Sequence, residues 1–133
     1  MSREITVTIE QEKYTTTITD NIHTLIADEP TEVGGQDKGF APTQLLLSSL
    51  GSCKVITVRM YADQKKWELD KVIVRLSSEV KRSVQQQTTY IKCHISFEGN
   101  LDDDQKKRLA IIADRCPVHK ILSNPIVIDS NML

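Results

Sequence analysis

The sequence predicts an α+β protein with strands on either side of one long helix. Apolar and polar residues alternate in two regions, before residue 30 and after residue 70, as they do in strands with one buried face. Between these regions, the stretch from Pro42 to Lys66 has helical character and contains no further proline. A second helix, with acidic residues first and basic residues later, follows the last long strand.

The first region predicts a hairpin and a third short strand. Alternation runs from Glu4 to Glu10, and the segment Tyr14 to Thr19 is rich in Thr and Ile, which favour strands. His23 to Ala27 predicts the third strand. The segment Thr31 to Gly39 contains three of the five glycines and predicts a flexible loop.

The long helix is apolar on nearly all sides. Pro42 suits its first turn. One apolar stripe has helical spacing, and further large apolar residues lie off it; the stripe consists of Leu46, Leu50, Cys53, Thr57 and Met60. A helix of this kind has to be covered on most of its surface. One small chain supplies little such cover, so we expect a homodimer.

The second region predicts two long strands. They run over about Lys71 to Lys81 and Ile91 to Phe97, with a turn over Arg82 to Gln87 between them. The apolar face of the second strand includes Cys93, which we expect to lie inward as a small hydrophobic residue.

The C-terminal part predicts two further helices and a strand. Asn100 or Asp102 can cap a helix through about Arg115. Pro117 keeps Cys116 out of helical geometry and starts a short turn or helix over Val118 to Leu122. Ile126 to Ile128 predicts a closing strand.

Length and charge narrow the class of protein. A chain of 133 residues without repeats or linkers predicts one domain, residues 1–133. The formal net charge is −1, with both signs interspersed, so neither nucleic acid nor an acidic membrane is an expected partner. No apolar run reaches the length of a membrane span, and the start lacks a signal-peptide pattern. We therefore expect a cytoplasmic protein.

The cysteines are the strongest candidates for chemistry. Cys53 and Cys116 each fall on the apolar face of a predicted helix, and Cys53 lies among serines and a glycine, which leave room for a ligand. A buried cysteine can also be an inert part of the core. Cys53 is too deep in its helix for the helix dipole to activate it, so activation has to come from another element or chain. The histidines show no metal-ligand spacing, and we expect no metal site.

Two motifs, with their cysteines 63 residues apart, resemble a known family. The stretch Gly34 to Cys53, GGQDKGFAPTQLLLSSLGSC, is similar to the glycine loop and helix of the OsmC/Ohr family, the osmotically inducible and organic hydroperoxide resistance proteins. The stretch Ala113 to Lys120, ADRCPVHK, resembles the second cysteine motif of that family. Val58 to Ala62 and Gly99 to Asp102 match in kind and order, so the resemblance covers essentially the whole chain.

The resemblance implies a fold and an activity. It implies an OsmC-like fold in an intertwined homodimer, with two long central helices wrapped by antiparallel β-sheets. It also implies a thiol-dependent peroxidase of the oxidative stress response, acting on organic hydroperoxides without a bound cofactor. Cys53 would attack the peroxide and become a sulfenic acid, and Cys116 would condense with it to a disulfide that an external dithiol reopens.

The chain departs from the family at the groups that activate the first cysteine. The peroxidases of the family use an arginine from the N-terminal strands and a glutamate ten residues before the cysteine. Here Thr43 and Gln44 occupy the glutamate region, and the N-terminal hairpin offers Arg3 and Lys13. Four charged residues are candidate substitutes across a dimer interface: Asp37, Lys38, Arg59 and Arg115. The alternative functions are a non-catalytic protein that binds a small hydrophobic ligand and a redox sensor.

Overall fold

A computed structural model describes residues 3–132, and it confirms the α+β class. In chain order the elements are β1 (Thr6–Ile9), β2 (Thr16–Thr19), β3 (Thr24–Ala27), α1 (Pro42–Lys65), β4 (Glu68–Arg82), β5 (Gln87–Asn100), α2 (Asp103–Ala113) and α3 (Pro117–Leu122). The described chain divides into two compact units, residues 3–46 and residues 47–132. The interpretation of residues 1–133 as one domain stays a prediction.

The first unit contains the predicted hairpin and third strand. β1, β2 and β3 form an antiparallel sheet in that order. Val7 pairs with Ile18, and Ile18 pairs with Leu25, so apolar side chains line up across the sheet. The three predicted strands of this region are confirmed.

Asp28 ties the glycine-containing segment to this sheet. Its side chain is almost fully buried. Burial acts to raise the pKa of Asp28, but amide hydrogen bonds to the carboxylate outweigh burial and hold the pKa below its usual range. The donors are the amides of Tyr14, Glu29, Gln36 and Lys38 and the hydroxyl of Thr15. The segment predicted as a loop includes a short 3-10 turn, Thr31–Val33.

Helix α1 begins at Pro42, as predicted, and it ends where Lys66 adopts a left-handed φ of 59°. Its buried stripe differs from the predicted one. Of the predicted stripe, Leu46 is 46% exposed and Met60 is 66% exposed, whereas Leu50 is buried. The buried positions of the helix are Leu50, Gly51, Lys54, Val58 and Ala62. The predicted stripe matches the buried side only in part, because apolar residues surround the helix and periodicity alone does not reveal which side the chain covers.

The long strands β4 and β5 pair as an antiparallel hairpin in which Leu76 lies opposite Cys93. Both strands extend beyond the predicted bounds, because ladder hydrogen bonds continue into polar residues at each end. Gly51 of α1 allows β4 to approach closely, since a Cβ at this position would lie 2.8 Å from Leu76 Cδ1.

Of the two predicted caps of helix α2, Asn100 and Asp102, the structure has Asp102. The Asp102 side chain accepts from the amide of Gln105, and the Gln105 side chain accepts from the amide of Asp102. Helix α2 packs into the core of the second unit. The members of this core are Val58, Ala62, Leu69, Leu109 and Ala113.

The predicted short helix after Cys116 is present as α3, but the predicted strand Ile126 to Ile128 is wrong. These residues are exposed, and within residues 3–132 they have no strand partner, which a strand requires. Of the helices in the described part of the chain, none combines the length and apolar character needed to cross a bilayer.

Candidate functional site

The two cysteines of the predicted site meet at the first turn of α3. Cys53 lies in the middle of α1, and Cys116 is the N-cap residue of α3, with φ −68° and ψ 146°. The amide of Val118 donates to Cys53 Sγ over 3.5 Å, and the amide of His119 donates to Cys116 Sγ over 3.3 Å. Consecutive residues are about 3.8 Å apart at their Cα atoms, so two neighbouring amides bring the sulfur atoms together.

The environments of the two thiols differ. Cys116 is fully buried, whereas Cys53 is half-buried. Burial raises the pKa of the Cys116 thiol, the His119 amide opposes this effect, and contact with the Cys53 thiol raises the pKa further. The raised pKa keeps Cys116 as a protonated thiol at neutral pH.

Cys93 does not lie inward as expected. It is exposed, and it borders a cavity of about 200 Å³ in the second unit. Apolar walls come from Leu50, Ile91 and Leu122, and His119 adds a polar side. Leu50 precedes Cys53 by three residues on α1, so the cavity lies one helical turn from the Cys53 thiol. Burial raises the pKa of Cys93, against the attraction of the Lys54 charge.

Lys54 is a site residue that the sequence reasoning missed. Its side chain is only 2% exposed, and its ammonium lies 3.0 Å from Asp114 Oδ1, 2.9 Å from His119 Nδ1 and 3.3 Å from the carbonyl oxygen of Ala113. The sequence does contain a pattern that indicates the burial of Lys54. Lys54 is the charged position of a helical stripe in which Leu50 and Val58 lie four residues to either side.

Two of the predicted substitutes for the family's activating residues have other partners in this chain. Lys38 pairs with Glu12 at 2.7 Å, and Arg59 pairs with Asp63 at 3.3 Å one turn along α1. At the start of α1, Gln44 accepts a hydrogen bond from the amide of Ala41. Within residues 3–132, no group of three or more His, Cys, Asp or Glu side chains is placed to hold a metal ion.

Comparisons with known proteins identify the family of this chain. The family model described as "OsmC-like protein" matches residues 35–131. A hydroperoxide reductase of Mycoplasma pneumoniae (strain ATCC 29342 / M129 / Subtype 1) is 25% identical over 125 residues, which is 90% of this chain and 85% of the relative.

Solved structures agree with this fold. An OsmC-like protein from Mycoplasma pneumoniae aligns with a TM-score of 0.78 and 21% identity, over 92% of this chain and 88% of the other. An organic hydroperoxide resistance protein from Legionella pneumophila aligns with a TM-score of 0.67 and 19% identity, over 90% and 88%. The family match covers well over half of the chain and includes both Cys53 and Cys116, and this chain therefore belongs to the OsmC-like protein family.

Proposed function

We propose that this protein is a thiol peroxidase that reduces organic hydroperoxides through Cys53 and Cys116. The Cys53 sulfur takes the terminal oxygen of the hydroperoxide, the O–O bond breaks, and the thiol proton leaves with the alcohol. The sulfenic acid then condenses with the Cys116 thiol, which releases water and forms a disulfide. An external dithiol reduces the disulfide and is itself oxidised.

The observation that carries this proposal is the convergence of both sulfur atoms on consecutive amides, from residues 63 positions apart. Cys53 is the half-buried and more accessible member of the pair, and Cys116 is fully buried. This difference supports Cys53 as the attacking and Cys116 as the resolving residue. The names of two relatives, the hydroperoxide reductase of Mycoplasma pneumoniae and the organic hydroperoxide resistance protein of Legionella pneumophila, point in the same direction.

The Val118 amide supports the attack at Cys53. A thiolate is the reactive form of cysteine, and an N–H donor stabilises negative charge on sulfur. The donor reaches Cys53 from α3, which meets the requirement that activation come from another element. The proposal needs no bound cofactor.

The cavity next to Cys93 and His119 supports a small apolar substrate. Its volume of about 200 Å³ is below that of most drug-sized pockets, which start at about 300 Å³, and its apolar walls favour an alkyl or aryl group. We propose that the enzyme acts as a homodimer in the cytoplasm. The exposed apolar residues Ile56 and Met60 on α1 support the dimer.

Three single substitutions test the assignment with cumene hydroperoxide and dithiothreitol. Cys53→Ser should abolish peroxide consumption. Cys116→Ser should leave a sulfenic acid at Cys53 that stalls or overoxidises, visible by intact mass. Val84→Ser, at a fully exposed position between β4 and β5, is the control and should retain the wild-type rate. Equal rates in the wild type and Cys53→Ser would refute the proposal.

A second cavity favours the alternative of ligand binding. It belongs to the first unit, measures about 360 Å³ and has mostly apolar walls, including Val7, Ile18 and Leu45. Native mass spectrometry of the purified protein would show a retained hydrophobic molecule if this function holds. A wild type that carries such a ligand and consumes no peroxide would favour binding. Disulfide formation without turnover would favour a redox sensor.

A further inference from the structure

Lys54 is a buried charge that the peroxidase steps above leave without a role. It lies on the covered side of α1 between Leu50 and Val58, and its ammonium reaches the turn between α2 and α3. Burying an ammonium is unfavourable unless every N–H finds an acceptor. Lys54 has three N–H groups and three partners: the Ala113 carbonyl, Asp114 Oδ1 and His119 Nδ1.

These contacts determine the tautomer of His119. An ammonium donates three hydrogen bonds and accepts none. Lys54 pairs with the Asp114 carboxylate as a protonated ammonium. Because an ammonium cannot accept a hydrogen bond, Lys54 is the donor in its 2.9 Å contact with His119 Nδ1. Nδ1 is then an acceptor, and the proton of the neutral imidazole lies on Nε2.

The Nε2–H group has no acceptor among residues 3–132. The His119 side chain is 38% exposed and borders the cavity that Leu50, Ile91 and Leu122 enclose. A bound molecule in this cavity would therefore meet this N–H group beside the apolar walls, with Thr89 and Ser123 as further polar lining residues. Polar groups of this kind orient a ligand in a mainly apolar pocket.

We propose that Lys54 is a positioning residue: it holds His119 in the Nε2–H tautomer so that His119 donates a hydrogen bond to a peroxide oxygen in the cavity. The proposal rests on the proposed function and adds the residue that orients the substrate. The hydrogen bond stabilises negative charge on the leaving oxygen while the O–O bond breaks. His119 keeps its proton, and the thiol proton of Cys53 still ends on the alcohol.

The tautomer is measured by long-range ¹H–¹⁵N correlation of the imidazole in ¹⁵N-labelled protein. We expect the Nε2–H form at His119 in the wild type and loss of that preference in Lys54→Met. Lys54→Arg, which retains a donor, should keep the wild-type tautomer. Lys120→Met, an exposed neighbour on α3, is the control and should have no effect. An Nδ1–H form in the wild type would overturn the proposal without any variant.

Kinetics test the connection to the substrate. With cumene hydroperoxide, His119→Phe should lower kcat/KM by about 100-fold, the effect of losing one preorganised donor. Lys54→Met should lower it in the same direction, and the double variant should be no slower than His119→Phe alone. Independent, multiplying losses would overturn the coupling. A wild type without peroxidase activity would refute the proposed function, while the tautomer measurement would still decide the role of Lys54.

Discussion

At the scale of single residues, Asp28 shows how burial and hydrogen bonding oppose each other. Burial alone disfavours a carboxylate, yet four amides and a hydroxyl converge on this one. The net result is a lowered pKa for Asp28 in the folded protein. The ionised form therefore stabilises the first unit and connects the glycine-containing segment to the sheet.

Asp28→Asn should destabilise the protein at pH 7 and much less in acid. The folded pKa of Asp28 lies below the unfolded value of about 3.9, so its contribution is complete above that value and is lost as the pH falls through the folded pKa. Urea unfolding at pH 7 and pH 3 measures the difference between variant and wild type. The exposed Asp103→Asn is the control. A constant difference at both pH values would contradict this account.

The residues of the candidate site were only partly predictable. Cys53 and Cys116 came from two motifs and a family resemblance, because neither composition nor spacing brings residues 63 positions apart into contact. Lys54 was missed because a lysine on a helix is usually solvated. Its i, i+4 neighbours Leu50 and Val58 were the available signal that this lysine is buried.

At the scale of elements, the helix starts were predictable from local chemistry. Pro42 begins α1, and Asp102, one of the two predicted caps, begins α2. The strand at Ile126 to Ile128 was not predictable in this way. An apolar run is compatible with a strand, but a strand also requires a neighbouring strand to pair with. Whether such a partner lies beside the run depends on the tertiary structure, which the local sequence does not reveal.

Asp102→Ala should lower the free energy of unfolding by about 1 kcal/mol, because the Gln105 amide loses its acceptor at the start of α2. Asp102→Asn keeps an acceptor oxygen and should stay within a few tenths of a kcal/mol of the wild type. Urea denaturation at neutral pH measures both variants. Equal losses in the two would show that the charge, rather than the cap, is the stabilising feature.

At the scale of the whole molecule, each of the two units leaves large apolar side chains exposed in one chain. Val7 and Ile9 of β1 are exposed in residues 3–46, and Ile56 and Met60 of α1 are exposed in residues 47–132. Soluble monomers rarely leave large contiguous apolar patches exposed. The all-round apolar helix was evident from the sequence, but a single chain does not reveal what covers it.

The homodimer is testable by light scattering coupled to size exclusion. We expect a mass of twice 15.0 kDa for the wild type. Ile56→Glu combined with Met60→Glu should shift it to the monomer, because charges replace apolar contacts while glutamate preserves helix propensity. Val84→Glu, at a fully exposed position between β4 and β5, should leave the mass unchanged. A monomeric wild type would refute the dimer.

The attachment of both sulfur atoms to the first turn of α3 has one more consequence. A helix of six residues depends strongly on its end contacts, and two of its first amides donate to Cys53 and Cys116. Any change in the charge or bonding of either sulfur alters the acceptor that these amides meet. The backbone amide chemical shifts of Val118 and His119 should therefore report the oxidation state of Cys53 and Cys116, without a label on either cysteine.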